Sequence, residues 1–368
     1  MTARPLTRVL FISGSLGKGH DVLAEACAAT LEARGVRCEI VDAMRLLGAG
    51  PGAVGDWVFR RLLSVKAIYD AFHFSQLRDD GRLARTLDRL AVDWMYPHLQ
   101  ARVEAFDPEL IVSVFATGAG AVARLKQSGY RGSSVVAMTD SFAHRFWVHE
   151  STDLFLVTAP AAGESVRRYW PEANVKVMTA PVRAEFYAAP SRPVARDRLG
   201  VPPDATCVLL MSGAWGLGPL DAAAAALASE GMWVLAVGGT NTAMTRKLND
   251  MAVRSPGIIP FGYTDQVPLL MAASDVVVTS SGDTCREART LGRGIVLLDV
   301  VPGHGRENLM HELELGGATA CMPTPESIGR AVRSFMGDPD RYRIPPGPPA
   351  HQASDQFVAA IEGLGFKL

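Results

Sequence analysis

Two stretches in the second half of the chain carry residue types suited to binding a phosphorylated sugar nucleotide. They are Ser280-Ser281-Gly282-Asp283-Thr284-Cys285-Arg286-Glu287-Ala288 and Pro302-Gly303-His304-Gly305-Arg306-Glu307-Asn308. Small residues at a turn let main-chain NH groups approach a diphosphate, and a helix N-terminus adds partial positive charge. Glu287 sits one turn inside a helix expected to start near Thr284, where a carboxylate can accept both hydroxyls of a ribose. An apolar run precedes each stretch, Asp275 to Thr279 and Gly294 to Val301, so both turns fall at the ends of expected strands. Such a site points to glycosyl transfer from a sugar nucleotide.

A third turn, Ser13-Gly14-Ser15-Leu16-Gly17-Lys18-Gly19-His20, follows the first apolar run. It is no P-loop, because the residue after Gly19 is His20 rather than Ser or Thr after a Gly-Lys pair. It is no dinucleotide fingerprint either, since Gly17-Lys18-Gly19 is followed at the last position by Val22. What it offers is His20 at or near a helix start, where the helix dipole disfavours a second positive charge. A neutral imidazole there can take a proton from an attacking hydroxyl. On residue type alone, a general base and a simple helix cap are equally compatible with His20.

Asp140 and His144 lie just past another expected strand, where Asp140 can orient an imidazole or bind an acceptor hydroxyl, or cap the next segment. Arg183 can meet a diphosphate or close a salt bridge. Between Ala53 and Leu77 the aromatics Trp57, Phe59, Tyr69, Phe72 and Phe74 mix with Arg60, Arg61 and Lys66. Val58, Leu62, Val65, Tyr69 and Phe72 share one helical stripe. Such a stripe packs on its own domain, or lies at a membrane interface and guides a lipid acceptor.

The elements that must position these residues alternate between short apolar runs and helical patterns, as in parallel α/β units. Expected strands are Arg8 to Ser13, Cys38 to Asp42, Leu110 to Val114, Ser134 to Thr139, Leu154 to Val157 and Val175 to Thr179, then Cys207 to Met211, Trp233 to Val237, Ile258 to Phe261, Asp275 to Thr279 and Gly294 to Asp299. Helices are clearest at Ala24 to Arg34 and Asp221 to Glu230. Four prolines between Tyr187 and Pro203 read as an interdomain linker. The expected organisation is therefore a first domain over 1–188, a linker over 189–203, a second domain over 204–344 and a tail with a short helix over 345–368. Two doubly wound domains of this kind place their ligand in a cleft between the carboxyl ends of both sheets.

The 368 residues are 48% hydrophobic, enough for two cores of ordinary size. A formal charge of −1 gives no footprint for a nucleic-acid partner. Five scattered cysteines without a CxxC pair suit a reducing compartment and give no metal or disulfide framework. No signal peptide and no membrane-spanning run is seen, so a cytoplasmic protein, free or peripheral at the inner face of the membrane, is expected.

Read together, Gly17-Lys18-Gly19-His20, Thr139-Asp140-Ser141-Phe142-Ala143-His144 with Trp147, Ala180-Pro181-Val182-Arg183 with Glu185-Phe186, Met211 to Pro219, Phe261-Gly262-Tyr263 and the two later turns resemble the monogalactosyldiacylglycerol synthase type of glycosyltransferase. That type is similar in turn to the N-acetylglucosaminyltransferase of peptidoglycan synthesis. The likeness covers almost the whole chain in order. It implies a GT-B fold of two Rossmann-like domains, a UDP-sugar co-substrate with no tightly bound cofactor, and a lipid or other hydroxyl acceptor. It implies His20 as the base, with Asp140 beside it. It implies Gly19, Gly213, Gly216 and Gly218 near the diphosphate, with Gly282, Thr284 and Arg183. Glu287 would hold the ribose, Phe261, Gly262 and Tyr263 would meet the uracil, and His304, Gly305 and Asn308 would contact the donor sugar. Trp57, Phe59, Arg60, Arg61 and His144 would face the acceptor or the membrane.

The chain departs from that pattern in three places. The turn from Gly282 to Glu287 is one residue short, with Asp283 where glycine is common. His304 and Gly305 stand where glutamine and an acid or second glutamine are usual, and Trp215 stands where a small or acidic residue is. A soluble natural-product glycosyltransferase, a UDP-sugar 2-epimerase and a non-catalytic UDP-sugar-binding protein share the architecture and stay open as alternatives.

Overall fold

The computed structural model describes residues 4–14, 18–48, 70–212, 218–338, 344 and 347–368. Trp57, Phe59, Arg60, Arg61, Gly213, Trp215 and Gly216 lie outside the described residues. The chain forms two compact units. The first comprises Met1–Pro181, Pro302–His304 and Pro349–Leu368, the second Val182–Val301 and Gly305–Pro348.

In the first unit, strand β1 is Arg4–Pro5 and the main sheet contains β2 (Arg8–Ser13), β3 (Arg37–Asp42), β4 (Leu110–Ser113), β5 (Ser133–Ala137), β6 (Leu154–Val157) and β7 (Val175–Val177). They pair in the order β3-β2-β4-β5-β6-β7, every neighbour parallel. Parallel strands must be covered on both faces, which is why β2 is apolar at consecutive positions rather than alternate ones. Val9 and Phe11 point into a core with Leu23, Cys27 and Leu31 of the helix Lys18–Glu32. Leu10 and Ile12 point the other way, against Met95, Leu99, Val103 and Phe106 of the helix Arg82–Phe106 and Val122 and Leu125 of the helix Ala116–Gln127.

The second unit repeats the plan. Strands β8 (Cys207–Met211), β9 (Trp233–Val237), β10 (Ile258–Phe261), β11 (Val276–Thr279), β12 (Gly294–Leu298) and β13 (Ala318–Cys321) pair as β10-β9-β8-β11-β12-β13, again all parallel. Cys207, Leu209 and Met211 of β8 face one core, Val208 and Leu210 the other. In each sheet the strand order reverses once, between β2 and β4 in the first and between β8 and β11 in the second. A crevice opens at the carboxyl ends of such a strand pair, because the connections leave on opposite faces there.

Three features differ from the sequence reading. The helix after β2 begins at Lys18 rather than Ala24, so Gly19 and His20 lie in its first turn. The first four NH groups of a helix have no intrahelical partner, and Asp21 in that turn suits the positive end of the dipole. The proline-rich interval read as a linker carries the helix Arg192–Leu199, with Ala195 and Arg196 buried in the second unit. Arg196 donates to the Ala273 carbonyl (3.0 Å) and to Asp275 (2.8 Å), and the change of compact unit falls at Pro181 and Val182. Residues 349–368 are no free tail. The helix Ala350–Glu362 brings Phe357, Ala360 and Ile361 into the first core, and β14 (Phe366–Lys367) pairs parallel with β1.

Candidate functional site

The loops after β2 and β4, at the reversal point of the first sheet, hold His20. Gly14 lets them close up: a Cβ there would lie 2.4 Å from the Phe115 ring. That ring, at the end of the β4 loop, meets the His20 imidazole edge-on with centroids 5.2 Å apart. Ser13 Oγ donates to Asp21 Oδ1 at 2.7 Å, tying the end of β2 to the first helical turn. His20 Nδ1 lies 2.6 Å from the Val114 carbonyl oxygen. A carbonyl oxygen only accepts, so this contact places the proton on Nδ1 and leaves Nε2 as the basic nitrogen. The Thr139 hydroxyl is 3.3 Å from the same Nδ1.

Asp140 and His144 come from the irregular segment after β5, which ends at Ala137 and so leaves Thr139 and Asp140 outside the ladder. The buried Trp147 indole donates to Asp140 Oδ2 at 2.9 Å, and His144 Nε2 is 3.8 Å from that same oxygen. Burial would raise the Asp140 carboxyl, but His304, His144, the Trp147 hydrogen bond and His20 outweigh it and hold it below the usual carboxylate range. His144 is pushed down to about 3, chiefly by burial, with His73, His304 and Arg78 adding to it against the pull of Asp140. It is therefore neutral at physiological pH. The Trp147 ring centroid lies 6.5 Å from that of His20 and 6.1 Å from that of His144, so the indole links the two imidazoles.

Two further groups join this cluster without any signal in the sequence pattern. His73, 1% exposed, sits with its ring 6.2 Å from both His144 and His304. Arg78 donates to the Ala143 carbonyl at 2.7 Å and holds its guanidinium over the Phe142 ring. Both belong to the short π-helix His73–Arg78, at the end of the stretch whose aromatics read as a stripe that packs on its own domain or lies at a membrane interface. Pro302–His304 pack with the first unit, and Gly303 N–H donates to Asp70 Oδ1 at 2.6 Å.

In the second unit the loop after β11, at the reversal point of that sheet, passes through Ser280, Ser281 and Gly282 into the helix Asp283–Thr290. Ser281 Oγ donates to the Gly305 carbonyl at 2.7 Å, joining this turn to the one after β12. Only glycine fits at position 305, since a Cβ would meet the Val301 side chain at 2.4 Å. Asp283, unfavourable beside a diphosphate if left alone, is paired with Arg286 at 2.7 Å.

Glu287 is buried on the same helix and accepts from Arg183 at 3.0 Å. Burial pushes its carboxyl up to about 7, Arg183 pulling the other way and Asp283 and Glu185 adding to the rise. Thr284 stands in the first turn of that helix and Asn308 in the helix His304–Glu314. Gly218 adopts φ +94°, a left-handed conformation open to glycine, with Val300 close to where a Cβ would be. Phe261 ends β10, and beyond Gly262 the Tyr263 ring is 63% exposed. Among the described residues no group of three or more His, Cys, Asp and Glu is arranged to hold a metal ion.

Comparison with known proteins agrees with this architecture. Residues 20–182 match the family profile of monogalactosyldiacylglycerol (MGDG) synthase. A processive diacylglycerol β-glucosyltransferase of Bacillus pumilus is 23% identical over 342 residues, spanning 91% of this chain and 88% of that protein. Among solved structures, MurG of Acinetobacter baumannii superposes with a TM-score of 0.62 at 14% identity, covering 97% of this chain and 99% of that one. The UDP-GlcNAc 2-epimerase of Neisseria meningitidis gives 0.63 at 11% identity, with coverage of 97% and 99%. At such identities the structures speak for the fold, two Rossmann-like α/β domains of GT-B type.

Proposed function

We propose, for a chain that belongs with the monogalactosyldiacylglycerol synthase type of glycosyltransferase, that it moves a hexose from a UDP-sugar to a hydroxyl of a lipid acceptor such as diacylglycerol. The observation that carries this reading is His20 at the reversal point of the first sheet, its Nδ1–H held by the Val114 carbonyl. Nε2 is then the nitrogen that takes the acceptor proton as the hydroxyl oxygen bonds to the anomeric carbon. The bond from that carbon to the diphosphate breaks, and UDP leaves with the electron pair. Asp140 is the companion of His20: an ionised carboxylate beside the imidazole favours the cation formed on proton uptake.

The second unit supplies the nucleotide grip. Main-chain NH groups at the start of the helix Asp283–Thr290 suit the diphosphate, and Glu287 suits the ribose hydroxyls. Arg183, already beside Glu287, adds positive charge for the departing diphosphate. The UDP-sugar is a co-substrate and no tightly held group is required. Among the described residues no helix is long and apolar enough to cross a membrane.

The test is an assay with UDP-glucose and UDP-galactose and a short-chain diacylglycerol, with mass spectrometry of the products. Glycolipid and UDP in equal amounts are expected. His20→Ala should lower turnover about 10²–10⁴-fold while donor affinity holds. Wild-type turnover in that variant would remove His20 from the chemistry. An isomerised sugar formed without acceptor would replace the transferase reading with an epimerase.

A further inference from the structure

Asp140 stands on a segment with no ladder of its own. Met138 N–H still bonds to the Leu156 carbonyl at 2.9 Å, and regular structure returns only at the short 3-10 helix Arg145–Trp147. Irregular segments are the mobile part of most folds, whereas a carboxylate that serves a reaction must be placed to within a fraction of an ångström. Something outside the segment has to hold it.

The hold is at Ala143, three residues past Asp140 and fully buried. Both of its main-chain groups are taken by side chains from elsewhere. Its N–H donates to Ser165 Oγ at 2.6 Å, and its carbonyl accepts from Arg78 Nη1 at 2.7 Å. Ser165 gives its own proton to the Ala162 carbonyl at 2.7 Å, which leaves its oxygen lone pairs for Ala143. Arg78 is held in turn: the Tyr169 hydroxyl donates to its carbonyl at 2.6 Å, and its guanidinium lies 5.6 Å over the Phe142 ring. Ser165 and Tyr169 are four residues apart on the helix Pro160–Tyr169 and so share one face. That face grips the segment twice, directly through Ser165 and at one remove through Arg78. A water or a serine would satisfy a lone carbonyl. A planar guanidinium reaching across 65 residues, pinned at its own backbone and stacked on a ring, also fixes where that carbonyl stands.

We propose that Arg78 is a positioning residue for glycosyl transfer: by fixing the Ala143 carbonyl it sets where the Asp140 carboxylate stands beside His20. It acts through Ala143 and not on the reacting atoms. The proposal rests on the transferase reading and deepens it, adding the helix Pro160–Tyr169 to the parts on which the first unit's chemistry depends.

The experiment is steady-state kinetics of the full chain with UDP-glucose and a short-chain diacylglycerol. Arg78→Gln should lower kcat about 10–100-fold, the scale of a misplacement of about an ångström, with the KM for UDP-glucose held and the chain still folded at the assay temperature. Arg78→Lys, which keeps a long donor, should recover part of the loss. Tyr169→Phe removes only the hydroxyl and should lower kcat about two- to tenfold, which decides the matter should the glutamine variant fail to fold. In an Asp140→Asn background, where the amide oxygen still accepts from Trp147, Arg78→Gln should add less than about twofold, because the charge it positions is gone. A readout free of turnover is the Trp147 indole N–H, which donates to Asp140. Its proton–nitrogen correlation signal, assigned with Trp147→Phe, should shift in Arg78→Gln. Unchanged kcat in the Arg78 and Tyr169 variants overturns the proposal, as do losses that multiply in full with Asp140→Asn or an indole signal that stays in place. A wild type that makes no glycolipid, with the indole signal moved in Arg78→Gln, would sink the transferase and leave the brace standing. Synthesis with kcat untouched by Arg78→Gln would do the reverse.

Discussion

At Glu287 the demands of folding and of the proposed ribose contact pull in opposite directions. A buried carboxylate is costly to ionise, yet only the ionised form accepts from both hydroxyls of a ribose. Burial pushes this carboxyl up to about 7 and Arg183 opposes the rise, so its charge changes within the physiological range. The ionised fraction grows as pH rises through that value, and donor affinity should grow with it. UDP-glucose is the probe, because its diphosphate diester does not titrate there. Its affinity should be weaker near pH 6 than near pH 8 by about tenfold in wild type and flat in Glu287→Gln. In Arg183→Ala the midpoint should move to higher pH, since the guanidinium that lowers the carboxyl is gone. Calorimetry across the pH range decides it, and a flat wild-type profile would detach Glu287 from the nucleotide. In the first unit, Asp140→Ala strands the buried Trp147 N–H, a loss of about 1–3 kcal/mol readable in a urea melt.

At the scale of elements, the two turns proposed to grip the donor form one unit through the Ser281 to Gly305 hydrogen bond. Gly305→Ala drives a methyl into Val301, and the start of the helix His304–Glu314 must then shift away from Ser281. The expected result is a stability loss of about 1–3 kcal/mol together with weaker UDP-glucose binding. Wild-type affinity in that variant would separate the second turn from the donor. Strands such as Cys207–Met211 and Leu154–Val157 were legible because a buried parallel strand is an unbroken apolar run between turn residues. Strand β13, Ala318–Cys321, was not, since it is short, small-sided and half-buried at a sheet edge. Prolines between Tyr187 and Pro203 suggested a linker, and nothing local revealed that Arg196 reaches Asp275 across 79 residues. His73 was missed for the same reason: its neighbours His144 and His304 are distant in sequence and near only in space.

At the scale of the whole molecule, the second unit is almost contiguous, whereas the first is assembled from stretches near both ends of the sequence. Phe357, Ile361 and Phe366 are all but fully buried in the first core. Losing even one large side chain of this kind costs about 3–5 kcal/mol, and a whole domain holds only about 5–15 kcal/mol in reserve. A chain ending at residue 348 should therefore lose the melting transition of the first unit while still binding UDP-glucose through the second. Retention of both transitions would show the returning helix to be dispensable. The same interlock sets a timetable on the ribosome. Strand β1 precedes its mate β14 by more than three hundred residues, so the pair can form only after all of them have been added. Contrary to the usual N-terminal-first sequence, the later half can close while the earlier one waits with its β2 flank uncovered. In that interval the nascent first unit exposes apolar surface that Phe357, Ile361 and Phe366 later bury.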